Sequence, residues 1–91
     1  MQKKKHHLNL DYEHGLIDIK KIDPSFPFQV RKYFDVDTLK ELAANILREG
    51  LIEPIVVRRK GRRCEIIAGE RRFRAVRDFT EMKTIPAQIV K

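Results

Sequence analysis

Tryptophan is absent from the 91 residues, cysteine occurs once, and glycine and proline occur four times each. A lone cysteine, Cys64, excludes an internal disulfide and a cysteine-based metal site, so a reducing cytoplasm is the expected compartment. Cys64 precedes a β-branched run and reads as a buried strand residue rather than a reactive thiol. No stretch approaches the ~18 unbroken apolar residues of a membrane span, so no membrane partner is expected. The opening Met1-Gln2-Lys3-Lys4-Lys5-His6-His7 is basic with no apolar run behind it, and is not expected to be a signal peptide. Repeats and low-complexity linkers are also missing. Acid is the scarcer charge: 13 Asp and Glu stand against 20 Lys and Arg, a net charge of +7. That surplus suits polyanionic partners, although solvated lysines would produce the same balance.

One domain of mixed α/β class fits what is present. Residues 1–14 are polar, show no periodicity and read as a flexible basic arm, leaving 15–91 as the folded domain. His6, His7 and His14 lack the i, i+4 spacing of helical metal pairs and belong to that solvated arm. Lys3, Lys4 and Lys5 offer contacts to DNA phosphates. Leu16, Ile17, Ile19 and Ile22 predict a short strand, and Pro24 and Pro27 an extended loop. Helix 36–49 is the clearest element. Asp35 is its N-cap, Asp37 and Glu41 lie near its positive end, and Gly50 is its stop. Leu39, Leu42, Ala43, Ile46 and Leu47 form its apolar stripe. Ile55-Val56-Val57 and Glu65-Ile66-Ile67-Ala68 read as strands joined by a tight turn at Arg59-Lys60-Gly61-Arg62. A second helix, 70–79, carries Phe73, Val76 and Phe79 inward. Thr84 to Val90 closes the domain as a strand, at an edge because of Pro86.

Chemistry concentrates in Ile66-Ile67-Ala68-Gly69-Glu70-Arg71-Arg72, where an apolar strand ends in glycine and a helix starts at once. The first turn of a helix presents unpaired amides to an anion. Gly69 permits close approach, and Arg71 and Arg72 add forked donors. Two readings serve these residues equally: a phosphate site, or a solvated charged face of the kind expected for Arg74, Arg77 and Asp78. Glu70 likewise has two roles on offer, stabilising the helix dipole or orienting a metal ion on bound phosphates.

Gly69-Glu70-Arg71-Arg72-Phe73-Arg74-Ala75 resembles the G-E-R-R-x-R-A box of the ParB N-terminal domain. Phe34-Asp35 with Leu39-Lys40-Glu41-Leu42-Ala43 is similar to that family's first helix. Gly50-Leu51-Ile52-Glu53-Pro54-Ile55-Val56-Val57-Arg58 is similar to its G-x-x-Q-P-I-x-V-R strand entry. Gln29-Val30-Arg31 resembles its Q-P-R triplet, and Ile85-Pro86-Ala87-Gln88-Ile89-Val90 its closing strand. Residues 16 to 91 are covered in order. The resemblance implies a ParB/sulfiredoxin-type fold that holds a nucleoside triphosphate. In partition proteins this is CTP with Mg2+, hydrolysed slowly, and binding switches a homodimer into a clamp around DNA. Carried over, Gly69, Glu70, Arg71 and Arg72 face the triphosphate, with Glu70 as the catalytic candidate. Gln29, Arg31, Gly50, Glu53 and Pro54 line the rest of the pocket, and no metal ligand is assigned. Val30 replaces the family's proline, and Glu53 replaces a glutamine amide with a negative charge. The helix-turn-helix reader and dimerisation segment have no counterpart in these residues, so either an excised domain or a short relative is expected, with only non-specific DNA binding.

Two other activities on this fold compete. Sulfiredoxin needs a reactive cysteine at the phosphate turn, where this chain has Gly69-Glu70-Arg71-Arg72. A metal-dependent nuclease, or another phosphate-handling enzyme such as an amino-acid kinase, is the alternative. A nuclease needs clustered carboxylates, and Glu70 lacks an evident partner because Asp35 and Asp37 serve the helix start.

Overall fold

The computed structural model describes residues 12–25, 35–50 and 53–90. Its elements are β1 (Tyr12–Asp18), a 3-10 turn (Ile19–Lys21), β2 (Ile22–Asp23), α1 (Val36–Glu49), β3 (Ile55–Lys60), β4 (Arg63–Ala68), α2 (Glu70–Phe79) and β5 (Thr84–Val90). The strands form one mixed sheet in the order β1-β5-β3-β4-β2. β3 runs antiparallel to β4 and parallel to β5, which pairs antiparallel with β1, while β2 lies parallel to β4. Both predicted helices occupy the residues expected of them.

The reasons are local. Asp35 has extended backbone, and its carboxylate accepts the Asp37 amide at 3.2 Å, so the cap expected there is made. Gly50 stops α1 at φ +86°, a left-handed conformation that glycine adopts without a Cβ penalty. Leu39, Ala43 and Ile46 are buried, but Leu47, placed in the same stripe by its spacing, is exposed. It falls on the far margin of the stripe, where α1 has nothing packed against it among the described residues.

On α2, Phe73, Ala75 and Val76 are fully buried, and Phe79 packs at the margin of the core. Each large apolar side chain of this kind contributes about 1.5–3 kcal/mol on burial. The two helices pack on one another, and α2 packs on β3. Alternate residues of the sheet complete the core: Ile55 and Val57, Cys64 and Ile66, and Ile85, Ala87 and Ile89. Cys64 is thus the buried strand residue its neighbours imply.

Three expectations need correction. Folded structure begins at Tyr12, because β1 is zipped along its whole length to β5, from Tyr12↔Val90 to Asp18↔Thr84. Backbone pairing, not a buried stripe, defines this strand, and residues 12–14 therefore belong to the domain rather than to the arm. The apolar series after Gly15 is not one strand, for the chain turns through Ile19–Lys21 before β2. Finally, β5 is not an edge strand. Pro86 lies opposite Leu16 on one side, while the β3 ladder starts one residue later, at Ile55↔Ala87. The missing amide of Pro86 therefore costs that ladder no bond.

Candidate functional site

β4 ends at Ala68 and α2 begins at Glu70, so Gly69 alone makes the turn. Its φ is +100°, and a Cβ placed on it would lie 2.8 Å from Ile55 Cγ2 and 3.1 Å from Ile55 Cα. A larger residue is thus opposed by backbone conformation and by the start of β3 together. The Phe73 amide donates to the Gly69 carbonyl at 2.9 Å, the first helical bond of α2. Upstream of it, the Glu70, Arg71 and Arg72 amides have no intrahelical acceptor, and no side chain caps the helix. Amides without a helical acceptor and the positive end of the helix dipole coincide at this turn.

Two arginines flank it in different ways. Arg71 is exposed and reaches α1, donating from Nη2 to Thr38 Oγ1 at 3.3 Å. Arg72 is partly buried. Its Nη2 donates to the Pro54 carbonyl at 3.4 Å, its Nη1 lies 3.5 Å from Glu53 Oε1, and its buried Nε finds no acceptor among the described residues. Arg72 stands between two open clefts. One, of about 390 Å³, is lined by Leu42, Gly69, Glu70, Arg71 and Arg72. The other, of about 340 Å³, is lined by the C-terminal part of α1 with Gly50, Glu53 and Arg72. Gly50, Glu53, Pro54, Gly69, Glu70, Arg71 and Arg72, singled out from sequence, are therefore neighbours in space. Gln29 and Arg31 lie outside the described residues, as do Lys3, Lys4 and Lys5.

Glu70 is placed differently from its neighbours. Its side chain is largely buried, with Oε2 2.7 Å from Arg74 Nε and Oε1 accepting the Ser25 amide at 2.9 Å. Ser25 Oγ in turn donates to the Ile66 carbonyl at 3.1 Å. Arg74, read from sequence as part of a solvated face, is 1% exposed, the one correction on this helix that alters the site. Arg77 does occupy a partly solvated face, bidentate to Asp78, and that contact holds its pKa above the usual arginine value.

The donor set suits a polyphosphate: amides and guanidinium groups converge, and Arg72 keeps a buried N–H with no acceptor among the described residues. Each Glu70 oxygen accepts one hydrogen bond, from Ser25 or Arg74, and keeps a further lone pair. Among the described residues no group of three or more His, Cys, Asp or Glu is arranged to hold a metal ion. Sequence reasoning missed Thr38, Ser25 and the lining residue Asn45. The Glu70–Arg74 contact was legible in principle as an i, i+4 pair, whereas the Ser25 contact spans 45 residues and left no local signal.

Comparison with known proteins bears on the family and the fold. The family model for the ParB N-terminal domain matches residues 2–91. A nucleoid occlusion protein of Halalkalibacterium halodurans is 51% identical over 73 residues, which are 80% of this chain and 25% of the relative. This chain thus spans about a quarter of the length of that relative. Among solved structures, the C-terminally truncated chromosome-partitioning protein ParB of Caulobacter crescentus, complexed with CTP-gamma-S, superposes with a TM-score of 0.72. It is 29% identical, over 87% of this chain and 44% of the other. Sulfiredoxin of Arabidopsis thaliana shares the fold, with a TM-score of 0.70 at 23% identity, over 87% of this chain and 85% of its own. On the family model's match over residues 2–91, and with a fold shared with solved ParB, the chain belongs to the ParB N-terminal domain family.

Proposed function

We propose that this domain binds a nucleoside triphosphate, CTP by analogy with the Caulobacter relative, at the first turn of α2. The carrying observation is the convergence at one cleft of the left-handed Gly69, three amides without helical acceptors, and Arg71 and Arg72. The phosphates take the amides and both guanidinium groups, which are charge-assisted donors. The base takes the second cleft, between α1 and Glu53. Glu70 is a positioning residue here, fixing the turn through Arg74 and Ser25. Magnesium, where bound, would supply charge neutralisation on the phosphates, and Glu70, the one carboxylate lining the cleft at Gly69, would be the residue to orient it.

In a longer protein of this family the domain would act as a nucleotide-dependent switch for clamping DNA, with a second copy recruited on binding. Hydrolysis, where it occurs, is slow. Both the partition role and a cytoplasmic location are part of this proposal.

Calorimetric titration with CTP, ATP, GTP and UTP, each with and without magnesium, tests it. Saturable binding with a preference for CTP is expected. Absence of binding by all four nucleotides would overturn the reading, and equal affinities would remove the assignment of the base.

A further inference from the structure

At the opposite end of the sheet from Gly69, β3 and β4 meet in a hairpin that carries more positive charge than its surroundings balance. β3 ends Arg58-Arg59-Lys60, the turn is Gly61-Arg62, and β4 opens with Arg63. Three carboxylates answer these five cations. Glu65 lies 3.2 Å from Arg58 and 3.7 Å from Lys60, Glu13 lies 3.7 Å from Arg59, and Asp23 lies 2.8 Å from Arg63. Arg62 has no ion pair among the described residues. Every cation in these pairs is at least half exposed, and such pairs contribute little to folding. Their guanidinium and ammonium groups are therefore readily redirected to another anion.

Shape adds a second observation. Lys21, from the 3-10 turn, joins Arg59 and Arg62 in lining an open cleft of about 330 Å³ beside the hairpin. Asp18, also in that lining, already accepts the Lys20 amide at 2.9 Å. Gly61, at φ +66°, lets the ribbon reverse within two residues, so its cations are carried on a narrow, two-stranded tip. A two-stranded ribbon is among the few protein elements that the major groove of a duplex, about 12 Å wide, admits.

We propose that the β3–β4 hairpin, with Lys21, is a docking surface for duplex nucleic acid, engaging backbone phosphates through Arg59 and Arg62. It is separate from the nucleotide turn. Gly69 lies five residues along the chain from Cys64, about 17 Å away at strand spacing. Such contacts position the chain on DNA and carry no base preference. The inference is independent of whether CTP binds at α2.

The test uses the 91-residue chain without nucleotide and a fluorescent duplex of arbitrary sequence, titrated over a salt series. Replacing Arg59 and Arg62 by Gln should weaken binding and reduce the slope of log K against log salt by about 2, one for each phosphate no longer neutralised. Lysine at both positions should retain most of the slope. Calorimetry should give the Gln variant the CTP affinity of the parent. Unchanged duplex binding in the Gln variant would overturn the proposal. So would loss of binding only on replacing Lys3, Lys4 and Lys5. Equal reductions of duplex and CTP affinity would also overturn it, because they would expose a general charge effect. Loss of binding to phosphatidylglycerol vesicles with duplex binding intact would reassign the surface to membranes.

Discussion

Glu70 Oε2 lies 2.7 Å from Arg74 Nε one turn along α2, and that guanidinium is almost wholly removed from water. Removing the carboxylate breaks this buried contact and takes away the acceptor of the Ser25 amide, a cost of about 1.5–3 kcal/mol for the charged hydrogen bond. Glu70→Ala should therefore lower the melting temperature by about 10 °C or more in a domain of this size. A catalytic carboxylate with no structural duty would leave the melt where it was.

Arg71 and Arg72 should separate from Glu70 in the same assays. Arg71→Ala removes an exposed side chain and should change stability by no more than about 0.5 kcal/mol. Arg72→Ala gives up the Pro54 hydrogen bond and some packing, a cost of about 1 kcal/mol. Each should weaken CTP by about ten- to hundred-fold, since a charged hydrogen bond to phosphate is worth roughly 1.5–3 kcal/mol. Thermal melts and titrations of each variant decide the matter. Normal melts with unchanged affinity would place the phosphates elsewhere.

Glu53 sits 3.5 Å from Arg72 Nη1 and is well exposed, so it offsets part of that cation's field beside the ligand cleft. Glu53→Gln should tighten nucleotide binding by up to about 1 kcal/mol, a few-fold in Kd, after allowing for solvent screening. Weaker binding of all four nucleotides would instead assign the carboxylate an attractive contact.

Gly69→Ala tests the turn itself. A non-glycine residue in left-handed backbone costs about 1–2 kcal/mol before any contact is counted. The added methyl would also press on Ile55, including its backbone. The variant should melt well below Arg71→Ala while keeping both arginines. A parent-like melt would mean that β3 yields at Ile55.

Asp23 supplies the pH dependence. The hydrogen bond from Arg63 holds its carboxyl below the usual value of 3.8. A carboxyl with a lowered folded pKa stabilises above its unfolded value, and the contribution disappears as pH falls through the folded value. Asp23→Asn should therefore melt slightly below the parent at neutral pH, and the gap should close as pH falls through the lowered pKa of Asp23. High salt should shrink it as well, because the pair is exposed. A gap that persists in acid would assign the effect to packing.

Elements whose cause lies within a few neighbouring residues were legible in the sequence. Asp35, Gly50 and the series Leu39, Ala43, Ile46 define α1 without reference to anything distant, and the same holds for the glycine turn before α2. The i, i+4 spacing of Glu70 and Arg74 was legible but the burial of Arg74 was not, since an arginine among charged residues is buried only if a carboxylate meets it in the core. That carboxylate is anchored by Ser25, 45 residues away in sequence. Leu47 fits the helical period but not the boundary of the core, which period alone does not mark. Pro86 was misplaced because the rule that puts proline at sheet edges concerns one missing amide. A strand covered on both sides satisfies that rule when its neighbour's ladder begins one residue later. Within the site, the residues adjacent to Gly69 followed from the motif, whereas Thr38 entered only through the packing of α1 on α2.

The pairing of β1 with β5 has a consequence for the order of folding. Among the described residues β1 pairs with β5 alone, so it stays unpaired until residues 84–90 have been made. β3 meanwhile keeps one edge open on the side that β5 will fill. Contacts this distant in sequence slow folding and prolong the exposure of unpaired edges. Synthesis of β5 thus sets the moment at which β1 is paired and the open edge of β3 is covered. The basic hairpin and the glycine turn need not wait for it, since β3, β4 and α2 are consecutive.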